Sequence, residues 1–226
     1  MCADSARDNA AQYCHQIAAR LAADAGDHST FAIALRAMAT QAHRQGRHGI
    51  AVRLLAERAV RSAHHTPPAV QAYAHAQLAV VLAADDRHAA LAEMARATEF
   101  HSKALSVPGP FTSYSVGALH YQRGQTFAAL GDYASAAMAL ETSLRLRAAN
   151  EERATTLTRA RLAETYLRLG HLDGALHCWQ AFLDASRSLH STQADARLST
   201  MHRLLRPYAR HPQAAALIER VRSNTR

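Results

Sequence analysis

The sequence predicts an all-α chain of antiparallel helix hairpins stacked into a superhelix. Three observations carry this prediction. Apolar and small residues recur at steps of three and four within short blocks. Gly-Asp, Gly-His, Gly-Arg or Asp-Asp pairs separate the blocks. Alanine is abundant in a chain that is 49% hydrophobic but only 6% aromatic, and Val and Ile are too scattered to alternate as strands require.

The clearest block is HYQRGQTFAALGDYASAAMALETSL at 120–144. Tyr121, Gly124, Phe127, Ala128 and Leu130 share one helix face, and Tyr133, Ala136, Ala137, Leu140 and Leu144 share another. Gly131-Asp132 divides them. Glycine tolerates the left-handed conformation that ends a helix, and aspartate accepts hydrogen bonds from the first free amides of the next. A phosphate loop needs several glycines before one helix, usually with a following Lys-Ser/Thr, and that pattern is absent.

In chain order the periodicity predicts helices near 8–25, 29–45, 48–63, 68–84, 87–105, 112–130, 133–148, 151–169, 172–188, 191–206 and 213–223. Pro67-Pro68 and Pro212 fall at helix starts, where proline is tolerated. SVPGPFT at 106–112 is the longest irregular connection. The whole of 1–226 reads as one array, with 106–112 as an internal loop and 191–226 as a C-terminal capping segment. Residues 9–25 look like the second helix of a hairpin without its first, which leaves the stripe Tyr13, Ile17 and Leu21 with an open flank and predicts a homodimer through this helix, or its burial against an absent domain of a longer protein.

The logic of 122–144 repeats. In 161–183, Ala163 replaces Gly124, Tyr166 replaces Phe127, Gly170 replaces Gly131, Leu172 replaces Tyr133, Ala175 replaces Ala136 and Trp179 replaces Leu140. Residues 37–60 do the same with Ala39, Gly46, Ala51 and Leu55. Residues 77–97 form a weaker copy, with Asp85-Asp86 at the turn and Ala90 and Met94 after it.

These residues resemble the tetratricopeptide repeat, which has a small residue in its first helix, an aromatic three positions on, a glycine turn and alanines in the second helix. The resemblance implies a tetratricopeptide-like right-handed superhelix of antiparallel helix hairpins. The family period is about 34 residues, whereas the turns here, at 46, 86, 131 and 170, lie 40, 45 and 39 apart. The family's closing proline is replaced near Ala148. NAAQYCHQIAARLAADAGD at 9–27, with the repeat that follows, also resembles the regulatory region of actinobacterial helix-turn-helix transcription factors. There a DNA-binding domain precedes the array; no such domain precedes the repeats here, so the chain reads as a stand-alone relative or a fragment.

The resemblance implies a ligand groove on the first helices of the hairpins. Carried over position by position, it comprises Arg36, Thr40, His43 and Arg44, then His75, then Tyr121, Gln125 and Ala128, then Arg161, Glu164 and Arg168. Some family members clamp a peptide carboxylate with Lys, Asn and Arg; this chain has the arginines but lacks the asparagines. Arginine forks suit carboxylates and phosphates. The expected partner is therefore a protein or peptide, or an anionic small molecule.

Other chemistry finds little support. No two of the 15 histidines lie three or four residues apart, so no helix offers a paired-His face, and no metal or cofactor is implied. There is no Gly-x-Ser-x-Gly elbow. Cys178 reads as a partly buried, inert thiol and Trp179 as core. Three cysteines, odd in number and widely spaced, suit a reducing compartment, and no apolar run reaches membrane-span length. A cytoplasmic, non-enzymatic protein follows.

The net charge is +8, and Lys103 is the sole lysine among 26 basic residues. The C-terminal arginines, including Arg206 and Arg210 near Tyr208, read first as a solvated capping face, so direct nucleic-acid binding is the lesser expectation. The functional reading is a binding module linked to transcriptional regulation. The alternatives are an accessory protein of a biosynthetic pathway, ligand-binding or catalytic, and nucleic-acid binding through the basic C-terminus.

Overall fold

A computed structural model describes residues 8–47, 49–104, 114–186, 189 and 192–224. Among them are eleven α-helices: α1 (Asp8–Asp24), α2 (His28–Arg44), α3 (Ile50–Ala63), α4 (Pro68–Leu82), α5 (Arg87–Ser102), α6 (Val116–Ala129), α7 (Tyr133–Leu146), α8 (Glu152–Arg168), α9 (Leu172–Ser186), α10 (Thr192–Leu205) and α11 (Pro212–Asn224). A 3-10 turn, Arg206–Tyr208, follows α10, and no strand occurs among the described residues. The expected loop at 106–112 lies outside the described residues. The helix expected from 112 starts at Val116, capped by Ser115, whose side chain accepts the Ala118 N–H.

Four hairpins, α2/α3, α4/α5, α6/α7 and α8/α9, stack in sequence, while α1 packs on α2 and α10 on α8. The turns close as the sequence predicts. Gly131 has φ 77°, and the Asp132 N–H returns to the Phe127 carbonyl at 3.0 Å, satisfying a carbonyl that the helix end leaves open. The Asp132 carboxylate then accepts the Ser135 N–H at 3.0 Å. Asp86 repeats this cap for α5, accepting the Ala89 N–H at 2.9 Å. Ala90 and Met94 are buried, as the placement of that turn requires.

Small residues set how closely paired helices approach. A Cβ at Gly124 would lie 2.7 Å from Leu140 Cγ. Ala39, Ala136, Ala163 and Ala175 are fully buried. The first hairpin departs from the expected register. Its turn is longer and contains Gly49, at φ 109°, as well as Gly46. Val52 and Ala56 consequently take the buried seats expected for Ala51 and Leu55; Ala51 is exposed and Leu55 half-buried.

The core is graded along the array. Trp179, Phe182, Leu140, Leu183, Met201 and Leu205 form a large C-terminal cluster with no exposed surface. Toward the N-terminus the clusters are smaller and richer in alanine, as with Ala32, Ala63, Val70 and Ala74.

Candidate functional site

The first helices of the hairpins turn one stripe toward a common concavity. The stripe steps i, i+4, i+7: Arg36, Thr40 and His43 on α2; Tyr73, Gln77 and Val80 on α4; Tyr121, Gln125 and Ala128 on α6; Leu157, Arg161 and Glu164 on α8. Helical geometry places such positions on one face. Two cavities result, of about 360 Å³ and about 260 Å³. His43, Val80 and Gln125 line both, so they form one groove.

Most of the sequence-derived residues meet there. Thr40, Arg44 and Tyr121 line the larger cavity, and Arg161, Glu164 and Arg168 the smaller. Arg36 lies at the flank, its guanidinium 3.6 Å from the Tyr73 ring centroid, a cation–π contact. The structure puts His75 elsewhere. It is buried between α4 and α5, bonds Glu93 and stacks on Phe100 with centroids 5.2 Å apart. Its place in the stripe belongs to Tyr73 and Gln77, two residues away on either side, which point to the opposite face.

Ion pairs divide the groove's charge into held and available parts. Glu164 accepts from Arg161 at 2.9 Å and from Arg197 of α10 at 2.8 Å, so one carboxylate ties α8 to α10. Burial opposes the charge on Arg161, but Glu164 and Tyr121 more than offset it and raise its pKa. Arg168 is exposed, 5.9 Å from the Tyr133 ring centroid. Across both cavities six arginines face two glutamates, which makes the groove a cationic surface.

Several lining residues escaped the sequence reading. Tyr73 stacks on Tyr114, centroids 4.3 Å apart and planes 10° from parallel. Burial, reinforced by Tyr73, pushes the Tyr114 hydroxyl well above its usual pKa against the opposing pull of Arg36 and Arg147, so it remains a donor, to Gln122. Arg147 pairs with Glu151 at 2.8 Å beside the larger cavity. The pattern Tyr73, Gln77, Val80 repeats Tyr121, Gln125, Ala128 with the same spacing, and that signal was legible. Arg147 follows α7 and enters the groove only through tertiary packing.

Elsewhere the chemistry is quiet. Burial pushes the Cys178 thiol up to about 11, which suppresses thiolate character at neutral pH. No cluster of three metal-ligating side chains occurs among the described residues, and none of their helices is long and apolar enough to cross a membrane. Tyr208 packs against the C-terminal core rather than standing free.

The fold has solved counterparts. It is similar to a Podosopora anserina protein of kinesin light chain type with nearly identical TPR-like repeats, at 19% identity over 84% of this chain and 92% of that one, with TM-score 0.56. A point variant of that same protein gives 18% identity, 87% and 95% coverage and TM-score 0.59. A thermophilic TPR protein of Thermus thermophilus gives 23% identity, 85% and 91% coverage and TM-score 0.50. No protein-family model and no curated protein sequence matches the chain. The fold is that of a tetratricopeptide-like helical repeat array.

Proposed function

We propose that this protein is a binding module, not an enzyme, whose concave groove receives an acidic segment of a protein partner. One observation carries the reading: side chains from four hairpins line a single groove in which six arginines face two glutamates. Repeat stacking is the physical route by which sequence-distant residues form one extended binding surface. The sequence resemblance to actinobacterial regulators supports an output in transcriptional control, delivered through the partner. The exposed stripe on α1 supports self-association as a homodimer.

Arg44 and Arg168 are the informative positions, because both are exposed, whereas Arg36 and Arg161 also shape the groove through Tyr73 and Glu164. The test is binding to an array of peptides graded in Asp/Glu content. Retention should rise with acidic content, fall about tenfold in R44A/R168A, and survive in R206A/R210A, since two exposed ion pairs of up to about 1 kcal/mol each sum to roughly 1.4 kcal/mol. Loss confined to the Arg206 and Arg210 variant would move the binding surface to the C-terminus and sink the groove reading.

A further inference from the structure

The floor of the larger cavity contains an unfinished hydrogen-bond relay. Tyr114 donates to Gln122 Oε1, and Gln122 Nε2 donates to Gln77 Oε1 at 3.2 Å. The relay stops there. Gln77 is only 4% exposed and lines the cavity, yet its amide nitrogen meets no acceptor among the described residues. Unlike Arg147 Nε, this nitrogen is not a fully buried orphan but keeps accessible surface at the cavity wall, where it can donate to a ligand. A bound acceptor at this point would complete the relay.

The same cavity is lined by Arg147, whose side chain is 6% exposed. Gly117 admits its stem: a Cβ there would sit 3.2 Å from Arg147 Cγ. Glu151 holds one terminal nitrogen, while Nε is buried with no partner among the described residues. Three arginines and one glutamate line this cavity, so its charge remains positive. The other walls are rigid rings and aliphatic groups, among them Tyr73, Tyr121, Val80 and Leu157. At about 360 Å³ the space falls within the range that small-ligand pockets occupy, roughly 300–1,000 Å³.

We infer that this cavity is a site for a small aromatic carboxylic acid, its carboxylate received by the Gln77 amide on the cationic side and its ring by the tyrosine and aliphatic walls. The inference rests on the groove being a binding surface and adds to it a ligand class. Such an acid would occupy the groove floor between α4, α6 and α8, so its binding would bear on any segment laid across them.

The probe is indole-3-acetate, titrated into the full chain and followed by calorimetry and by the side-chain amide resonances of Gln77 and Gln122. Saturable binding that shifts both amides is expected. Neutral indole-3-acetamide should bind at least about tenfold more weakly, a difference of one charge-assisted contact. Gln77→Leu should lose a similar factor while keeping helical content and melting temperature. If that variant fails to fold, the acid-against-amide comparison on the unaltered chain still decides. Equal binding of acid and amide, or shifts that avoid Gln77 and Gln122, overturns the assignment. So does tighter competition by a dipeptide ending in a free phenylalanine carboxylate, which would give the cavity to a peptide terminus. Absence of small-acid binding alongside retained acidic-peptide binding would remove this inference and leave the partner-binding reading standing.

Discussion

Individual residues set both the helix spacing and the titration behaviour of the fold. At Gly124 a Cβ would meet Leu140 Cγ at 2.7 Å and Cδ2 at 2.8 Å. Overpacking of this kind costs about 1–3 kcal/mol, against about 1 kcal/mol gained from helix propensity, so Gly124→Ala should destabilise by about 1 kcal/mol. Pairing it with Leu140→Val should recover part of the loss in thermal unfolding; strictly additive losses would contradict the contact. Glu93 supplies a pH signature. Burial alone would raise its pKa, but the hydrogen bond and charge of His75, followed by Arg96, more than offset this and hold it below the ordinary 4.5. A depressed folded-state pKa contributes stability above the unfolded value and loses it as pH falls through the folded one. Below pH 4.5 the melting temperature of the native chain should therefore fall more steeply than that of Glu93→Gln. Parallel curves would show that the pairing with His75 adds nothing.

Helix and turn positions were largely legible, because each hairpin carries local chemistry that marks its own boundary. Gly131-Asp132 and Asp86 cap where their side chains and backbone freedom require. The first hairpin misled because its turn uses Gly49 as well as Gly46, and an extra turn residue rotates the helix that follows. The same rule explains the groove. Its stripe follows i, i+4, i+7 spacing, so Tyr73 and Gln77 could be read from Tyr121 and Gln125, and His75 fell off the face by two residues. The relay through Gln122 and the seat of Arg147 depend on which helices meet, and that information is not local. On α1, Tyr13 and Leu21 are 64% and 62% exposed and Ile17 41%, the flank expected of a helix that packs chiefly on α2 among the described residues. Sedimentation equilibrium should show a dimer, and Tyr13→Ser with Leu21→Ser should convert it to a monomer of unchanged helicity. A monomeric native chain would end the self-association proposal.

At the scale of the whole molecule, the graded core predicts how the array comes apart. Repeat arrays are held by nearest-neighbour interfaces, so stability is distributed along them rather than pooled. The C-terminal cluster buries Trp179, Phe182 and four large aliphatic side chains completely. The N-terminal clusters bury fewer large side chains, Val52, Leu78, Val81 and Leu82 in one and Val70 in another, with alanines filling the rest, and apolar stabilisation scales with area at about 25 cal/mol per Å². The N-terminal hairpins should therefore unfold first. Trp179 is the only tryptophan, so its fluorescence reports the stable end while circular dichroism averages over all helices. In urea the dichroism midpoint should precede the fluorescence midpoint, which departs from two-state behaviour. The groove spans this gradient, with α2 and α4 on the weaker side and α8 on the stronger. A ligand that binds only the assembled groove stabilises it by mass action. Saturating ligand should thus raise the dichroism midpoint more than the fluorescence midpoint and bring the two together. Coincident midpoints without ligand would mean that the array folds as one cooperative unit, and that the alanine-rich hairpins draw more stability from their neighbours than their buried surface provides.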